Sequence, residues 1–240
     1  MCLSPGKARL RRLIISTQVR KNGLNILLLG PQGSGKGTQA ELISKTYGIP
    51  KITTGDMIRE MKELDTPEGE ELRAVYDRGD LVDDDLMIRL IESRLDRGDT
   101  MPGFVLDGFP RTMPQADALD ELLNRLGRSI DVVFEFQVPD REVLLERMLR
   151  RAAEEQRSDD TPETIKRRLE VYDRETAPLV EHYRARQANV VGVHAERPVD
   201  EVFAEIRQAI DQVATRAVGS TEATKGAEAP VHPAPERGRA

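Results

Sequence analysis

One stretch constrains this chain more than any other: Gly30-Pro31-Gln32-Gly33-Ser34-Gly35-Lys36-Gly37-Thr38. It follows an apolar run, Leu24 to Leu29, interrupted only by Asn25, and precedes a helical pattern that reaches about Tyr47. A near-continuous apolar run is what a parallel strand buried on both faces requires. Glycines at this spacing let the backbone curl until successive N–H groups point at one anion. A helix that starts there adds the positive end of its dipole. Lys36 brings a mobile cation to the outer phosphates. Strand, glycine loop, lysine and helix in this order read as a phosphate-binding P-loop. The residue after the lysine is Gly37, not Ser or Thr. The chain thus departs from the GTPase and ATPase pattern, in which a hydroxyl there binds magnesium.

Further short apolar runs occur at Phe104–Leu106, Val132–Val138 and Val190–Val193. Helical stretches separate them, among them Asp84–Arg97, Met113–Leu126 and Arg141–Ala153. Ile165, Leu169 and Tyr172 share one helix face, and Thr161-Pro162 supplies that helix with an N-cap and a first turn. Strands alternating with helices predict an α/β fold of three layers, a central parallel sheet with helices on both faces. Asp107 ends one of the apolar strands. A carboxylate at the carboxyl end of a strand beside a P-loop helps to hold magnesium through water. Asp83-Asp84-Asp85 reads as a helix N-cap with favourable dipole contact, not as a metal site.

Composition excludes several classes. The net charge is -6 and there is no Trp, which disfavours non-specific nucleic-acid binding and base-stacking platforms. The single cysteine, Cys2, offers neither an internal disulfide nor a thiolate zinc site, and fits a reducing compartment. No apolar run approaches the ~20 residues that span a bilayer. The first 23 residues carry six Lys and Arg and no acid, so the remainder sums to -12. This segment reads as a basic, disordered extension or an upstream start rather than a targeting peptide. Residues 217–240, rich in Ala, Pro, Gly and Glu, read as a disordered tail.

Three longer strings go beyond generic phosphate binding: Gly30–Gln39 (GPQGSGKGTQ), Ile52–Arg59 (ITTGDMIR) and Gly103–Gln115 (GFVLDGFPRTMPQ). In this order and spacing they resemble the adenylate kinases, from about Leu24 to Gln212. Arg147–Arg168 resembles the lid of the short-lid branch. The resemblance implies a core over 24–216 with two small mobile inserts, an AMP-binding one at 53–82 and a lid at 150–160. It implies reversible phosphoryl transfer between ATP and AMP, with magnesium carried on ATP, by a cytoplasmic monomer. Gly33, Ser34, Gly35, Lys36, Gly37 and Thr38 would hold the ATP phosphates, with Arg151 beside them and Arg197 near the adenine. Thr54, Arg59, Asp80, Leu81, Val82, Gly108, Phe109, Pro110, Arg111 and Gln115 would form the AMP site, with Arg157 and Arg168 on the AMP and transition-state side. Lys36, Arg111, Arg151, Arg157 and Arg168 would be the catalytic cations.

Guanidinium groups suit this work, because charge spreads over the equatorial oxygens of the transferring group and paired N–H donors can meet it. Arg150, Arg167 and Arg174 read as a solvated helix surface, and His182, His194 and His232 as structural or surface residues. Asp159 and Asp160 read as partners of arginines on closure. Three departures stand out. Gln32 replaces a common Pro, Asp83 replaces a Pro beside the AMP base, and Ala152–Gln156 lacks the glycine that often follows the lid arginine. The lid is short and has no cysteine near it, which excludes a zinc-stapled one. The alternatives are a UMP/CMP kinase, a GTP-using AMP kinase and a non-catalytic nucleotide-binding module; Thr112 and Gln115 favour adenine.

Overall fold

The computed structural model describes residues 23–155 and 160–223. Five strands, β1 (Leu24–Leu29), β2 (Lys51–Thr53), β3 (Gly103–Asp107), β4 (Val132–Gln137) and β5 (Val190–His194), form one parallel sheet in the order β2-β3-β1-β4-β5. The described helices are α1 (Lys36–Tyr47), α2 (Thr54–Lys62), α3 (Pro67–Asp77), α4 (Asp84–Leu95), α5 (Met113–Arg125), α6 (Arg141–Glu154), α7 (Pro162–Val171), α8 (Leu179–Ala185) and α9 (Val199–Ala223). A five-residue π turn, Tyr172–Thr176, extends α7.

Why β1 is apolar apart from Asn25 follows from its central place. Successive side chains point to opposite faces. Leu27 and Leu29 enter one core, with Ile58, Met87, Ile91, Leu119 and Leu179 from α2, α4, α5 and α8. Ile26 and Leu28 enter the other, with Ile43, Leu144, Met148, Ile165, Val202 and Ile206 from α1, α6, α7 and α9. Each such side chain, when fully buried, contributes about 1.5–3 kcal/mol. Two cores on one sheet make the three layers that the alternation of elements predicts. β2 escaped the sequence reading because only Ile52 of its three residues is buried.

The chain leaves β1 towards β2 and leaves β4 towards β5, on the opposite side. The carboxyl ends of β1 and β4 therefore flank a crevice where ligands bind in open α/β sheets. Asp107 ends β3 opposite Leu28 and Thr53, at the same edge. Thr66, Thr112 and Thr161 each N-cap a helix with Pro in its first turn, and their hydroxyls accept from Gly69, Gln115 and Thr164 N–H groups. α9 continues past 216, where composition places the start of a tail, because helix propagation costs little once begun. No helix among the described residues is long and apolar enough to cross a membrane.

Candidate active site

A cleft of about 690 Å³ opens at the carboxyl edge of the sheet. The glycine loop forms its floor. Gly33 has φ +81°, and a Cβ there would lie 2.9 Å from the Leu144 carbonyl of α6, so the loop can pack this closely only with glycine. Gly35, at φ +89°, caps α1 in the left-handed region and leaves the first-turn N–H groups of Lys36, Gly37 and Thr38 bordering the cleft. Ser34 is buried. Lys36 Nζ donates to the carbonyls of Gly30 (2.7 Å) and Pro31 (2.8 Å) and to Ser34 Oγ (3.4 Å). Burial pushes its pKa down to about 8; Asp107 opposes this, and Arg111 and Arg151 add to it.

Asp107 faces the loop, with Oδ2 3.6 Å from where a Cβ on Gly37 would stand. No hydrogen bond engages its carboxylate among the described residues. A lone buried carboxylate beside a phosphate cradle fits a hydrated magnesium ion, which needs only one or two protein carboxylates. No group of three or more His, Cys, Asp or Glu that could hold a metal ion occurs among the described residues.

Arg111 stands across from the glycine loop. Its Nε donates to the Gly108 carbonyl (2.8 Å), which also accepts from Thr54 Oγ1 (2.8 Å). Gly108 must be glycine, since at φ +87° a Cβ would come 2.5 Å from Thr54 Oγ1. Burial lowers the Arg111 pKa, and no carboxylate pairs with it among the described residues. A narrower pocket beside it is lined by Thr54, Asp80, Leu81, Val82, Gly108 and Gln115, among others. Phe109 does not join the lining; it is 2% exposed and packs in the core, while Pro110 borders the cleft.

Gln115 is fixed from both ends. Its Oε1 accepts from the Arg111 N–H (2.7 Å) and its Nε2 donates to Asp84 Oδ1 (2.7 Å). The other Asp84 oxygen accepts from the Thr112 hydroxyl (2.9 Å). Only Asp83 of the acidic triplet caps α4 through its side chain, accepting from the Leu86 N–H (3.0 Å). Asp84 instead reaches α5, a contact 28 residues away in sequence that no local pattern announces.

The remaining arginines separate into groups. Arg151 Nη2 (2.6 Å) and Arg168 Nη1 both donate to Asp160, whose side chain is fully buried. Arg59 donates to the Tyr76 hydroxyl (3.0 Å) and pairs with Asp56. Arg147 donates to the carbonyls of Ala195 (2.9 Å) and Glu196 (3.3 Å), and Arg197 pairs with Glu205; both arginines border the cleft. Arg167 pairs with Asp80 (2.9 Å) and Arg174 with Glu175 (2.6 Å), both exposed. Arg150 sits near Glu154 at 3.8 Å and also borders the cleft, a position its reading as plain surface did not foresee. Arg157 and Asp159 lie outside the described residues.

The adenylate kinase family model matches residues 28–188. The chain is 44% identical over 188 residues to an adenylate kinase of a Cyanothece species, covering 78% of this chain and 95% of that one. An adenylate kinase of Xanthomonas euvesicatoria is 44% identical over 189 residues, and one of Mycobacteroides abscessus 47% over 188, each covering 78% of this chain and 99% of the relative. Similarity of this extent, running through the glycine loop, the Thr54–Gly108–Arg111 cluster and Asp160, shows that the chain belongs to the adenylate kinase family.

Proposed function

We propose that this protein transfers a phosphoryl group reversibly between ATP and AMP, giving two ADP. The observation that carries the reading is the pair of enclosed cations, Lys36 and Arg111, facing one cleft from the glycine loop and from the loop after β3. Such a cleft favours two polyanions over one. An ionised oxygen of the AMP phosphate attacks the terminal phosphorus of ATP, the bond to the β-bridging oxygen breaks, and ADP leaves. No proton has to move, so no histidine is required. The glycine loop and Lys36 hold the donor phosphates, and Arg59 and Arg111 hold the acceptor phosphate. Arg151, Arg157 and Arg168 offset charge on the transferring group. Thr54, Gln115 and the Asp80–Val82 segment take the acceptor base, and Arg197 lies at the donor base. Magnesium, bound with ATP, supplies further neutralisation of the phosphates, and Asp107 is the residue we assign to it through water.

We place the enzyme in the cytoplasm, as a monomer acting on free nucleotides rather than nucleic acid. The single cysteine and the net charge of -6 support the compartment and the free-nucleotide substrates.

Replacing Arg111 by Ala is expected to raise the KM for AMP about 30- to 100-fold, as loss of a charged hydrogen-bonding group worth about 2–3 kcal/mol would. The KM for ATP should move only a few-fold. Steady-state kinetics with each substrate varied in turn checks this; equal losses for both would contradict the acceptor assignment.

A pH profile tests Lys36. The ratio kcat/KM for ATP reports groups of the free enzyme. With a pKa of about 8, Lys36 is charged below that pH and neutral above it, and a neutral amine grips phosphate less well. The ratio should therefore fall above about pH 8, while kcat holds to higher pH because bound phosphates favour the charged amine. A kcat/KM that stays flat to about pH 10 would contradict the lowered pKa.

A further inference from the structure

Tyr76, near the end of α3, is approached by three cations. Arg59 of α2 donates to its hydroxyl at 3.0 Å. Arg168 of α7 lies with Cζ 5.0 Å from its ring centroid and donates to its backbone carbonyl at 3.3 Å. Lys62 of α2 has Nζ 5.0 Å from the same ring and pairs with Asp77 at 2.9 Å. The ring packs partly buried against the core that holds Ile58 and Leu72, and it borders both the cleft and the narrower pocket.

An aromatic on the inner face of an amphipathic helix is ordinarily there for packing. Packing alone accounts neither for a hydroxyl turned to a guanidinium nor for ring contacts with two further cations, an arrangement that attracts them through the ring quadrupole. A tyrosine differs from a carboxylate in this place. Arg59 and Arg168 already pair with Asp56 and Asp160, and the tyrosine adds orientation to each arginine without adding a further negative charge to compete with a phosphate. A fixed guanidinium has less rotamer freedom left to lose when it grips its ligand.

We propose that Tyr76 is a positioning residue of the acceptor site: its hydroxyl sets Arg59 for the acceptor phosphate, and its ring sets Arg168 for the transferring group. This rests on the reading of Arg59 and Arg168 as acceptor-side arginines. One aromatic thereby ties α2 and α3 to the helix that follows Asp160.

The test compares full-length Tyr76→Phe, Tyr76→Leu and Arg59→Lys with the unaltered enzyme, measuring kcat, the KM of each substrate and the melting temperature. Tyr76→Phe keeps the ring and loses the hydroxyl. It should raise the KM for AMP about fivefold to tenfold, as for a lost hydrogen bond to a charged group, with a smaller change in kcat and none in the KM for ATP or the melting temperature. Tyr76→Leu should in addition lower kcat about tenfold, through loss of the ring contact to Arg168. If Arg59→Lys raises the KM for AMP and Tyr76→Phe does not, the proposal fails and the site reading stands. If Arg59→Lys also leaves the KM for AMP unchanged, the site reading fails and takes the proposal with it. Should Tyr76→Leu not fold, Tyr76→Phe alone decides.

Discussion

Lys36→Met is expected to lower kcat at least about a hundredfold, the effect of removing roughly 3 kcal/mol of electrostatic stabilisation from a transition state. The amine sits 2.7 and 2.8 Å from the carbonyls of Gly30 and Pro31, just after β1. Those contacts hold it at the mouth of the glycine loop, where the outer phosphates of a nucleotide would lie. Methionine fills nearly the same volume, so the fold should survive. The substitution also removes the cost of burying an ammonium group, the dominant cause of its lowered pKa. The melting temperature of the variant should therefore equal or exceed that of the parent. Loss of turnover with an unchanged melt, read by calorimetry and a coupled assay, is the expected pattern. Near-normal turnover would overturn the assignment of the glycine loop to the donor phosphates.

Asp160→Ala should destabilise the protein by about 3 kcal/mol, since removing one member of a buried ion pair commonly costs 3–5 kcal/mol. The carboxylate is fully buried and receives both Arg151 and Arg168, the latter side chain only 8% exposed. For a chain of this size the loss corresponds to a melting point lower by about 10 °C. Asp160→Asn keeps the shape without the charge and should fall between the two. Saturating ATP and AMP together should recover part of the difference, because their phosphates supply anions to the same guanidinium groups. An Asp160→Ala protein that melts with the parent would mean that the bridge is worth no more than an exposed ion pair, about 0–1 kcal/mol.

How much of this was legible in the sequence depends on how local the cause is. β1 and the glycine loop were plain, because a run buried on both faces and a turn needing several left-handed glycines each leave a contiguous signature. The Thr161 cap announced its helix through a Thr-Pro start. β2 was missed because a three-residue strand with one buried side chain has no measurable period. Asp84 was read as part of a capping triplet, since sequence shows the residue before α4 but not α5 lying against it. Tyr76 was missed for a similar reason. It lies 17 residues from Arg59 and 92 from Arg168, and an aromatic within a helix reads first as core. Phe109 shows the reverse case, because a string that resembles a binding segment places one of its side chains in the core.

The most direct measurement of the central claim is a coupled assay of the full chain with MgATP against AMP, UMP, CMP and GMP. Fast ADP formation is expected with AMP and little with the other three, because Gln115, held by Asp84 and the Arg111 N–H, presents one fixed hydrogen-bonding edge to the base. A preference for UMP or CMP would contradict the reading of Thr54 and Gln115, and silence with all four from a folded protein that still binds ATP would contradict phosphoryl transfer itself.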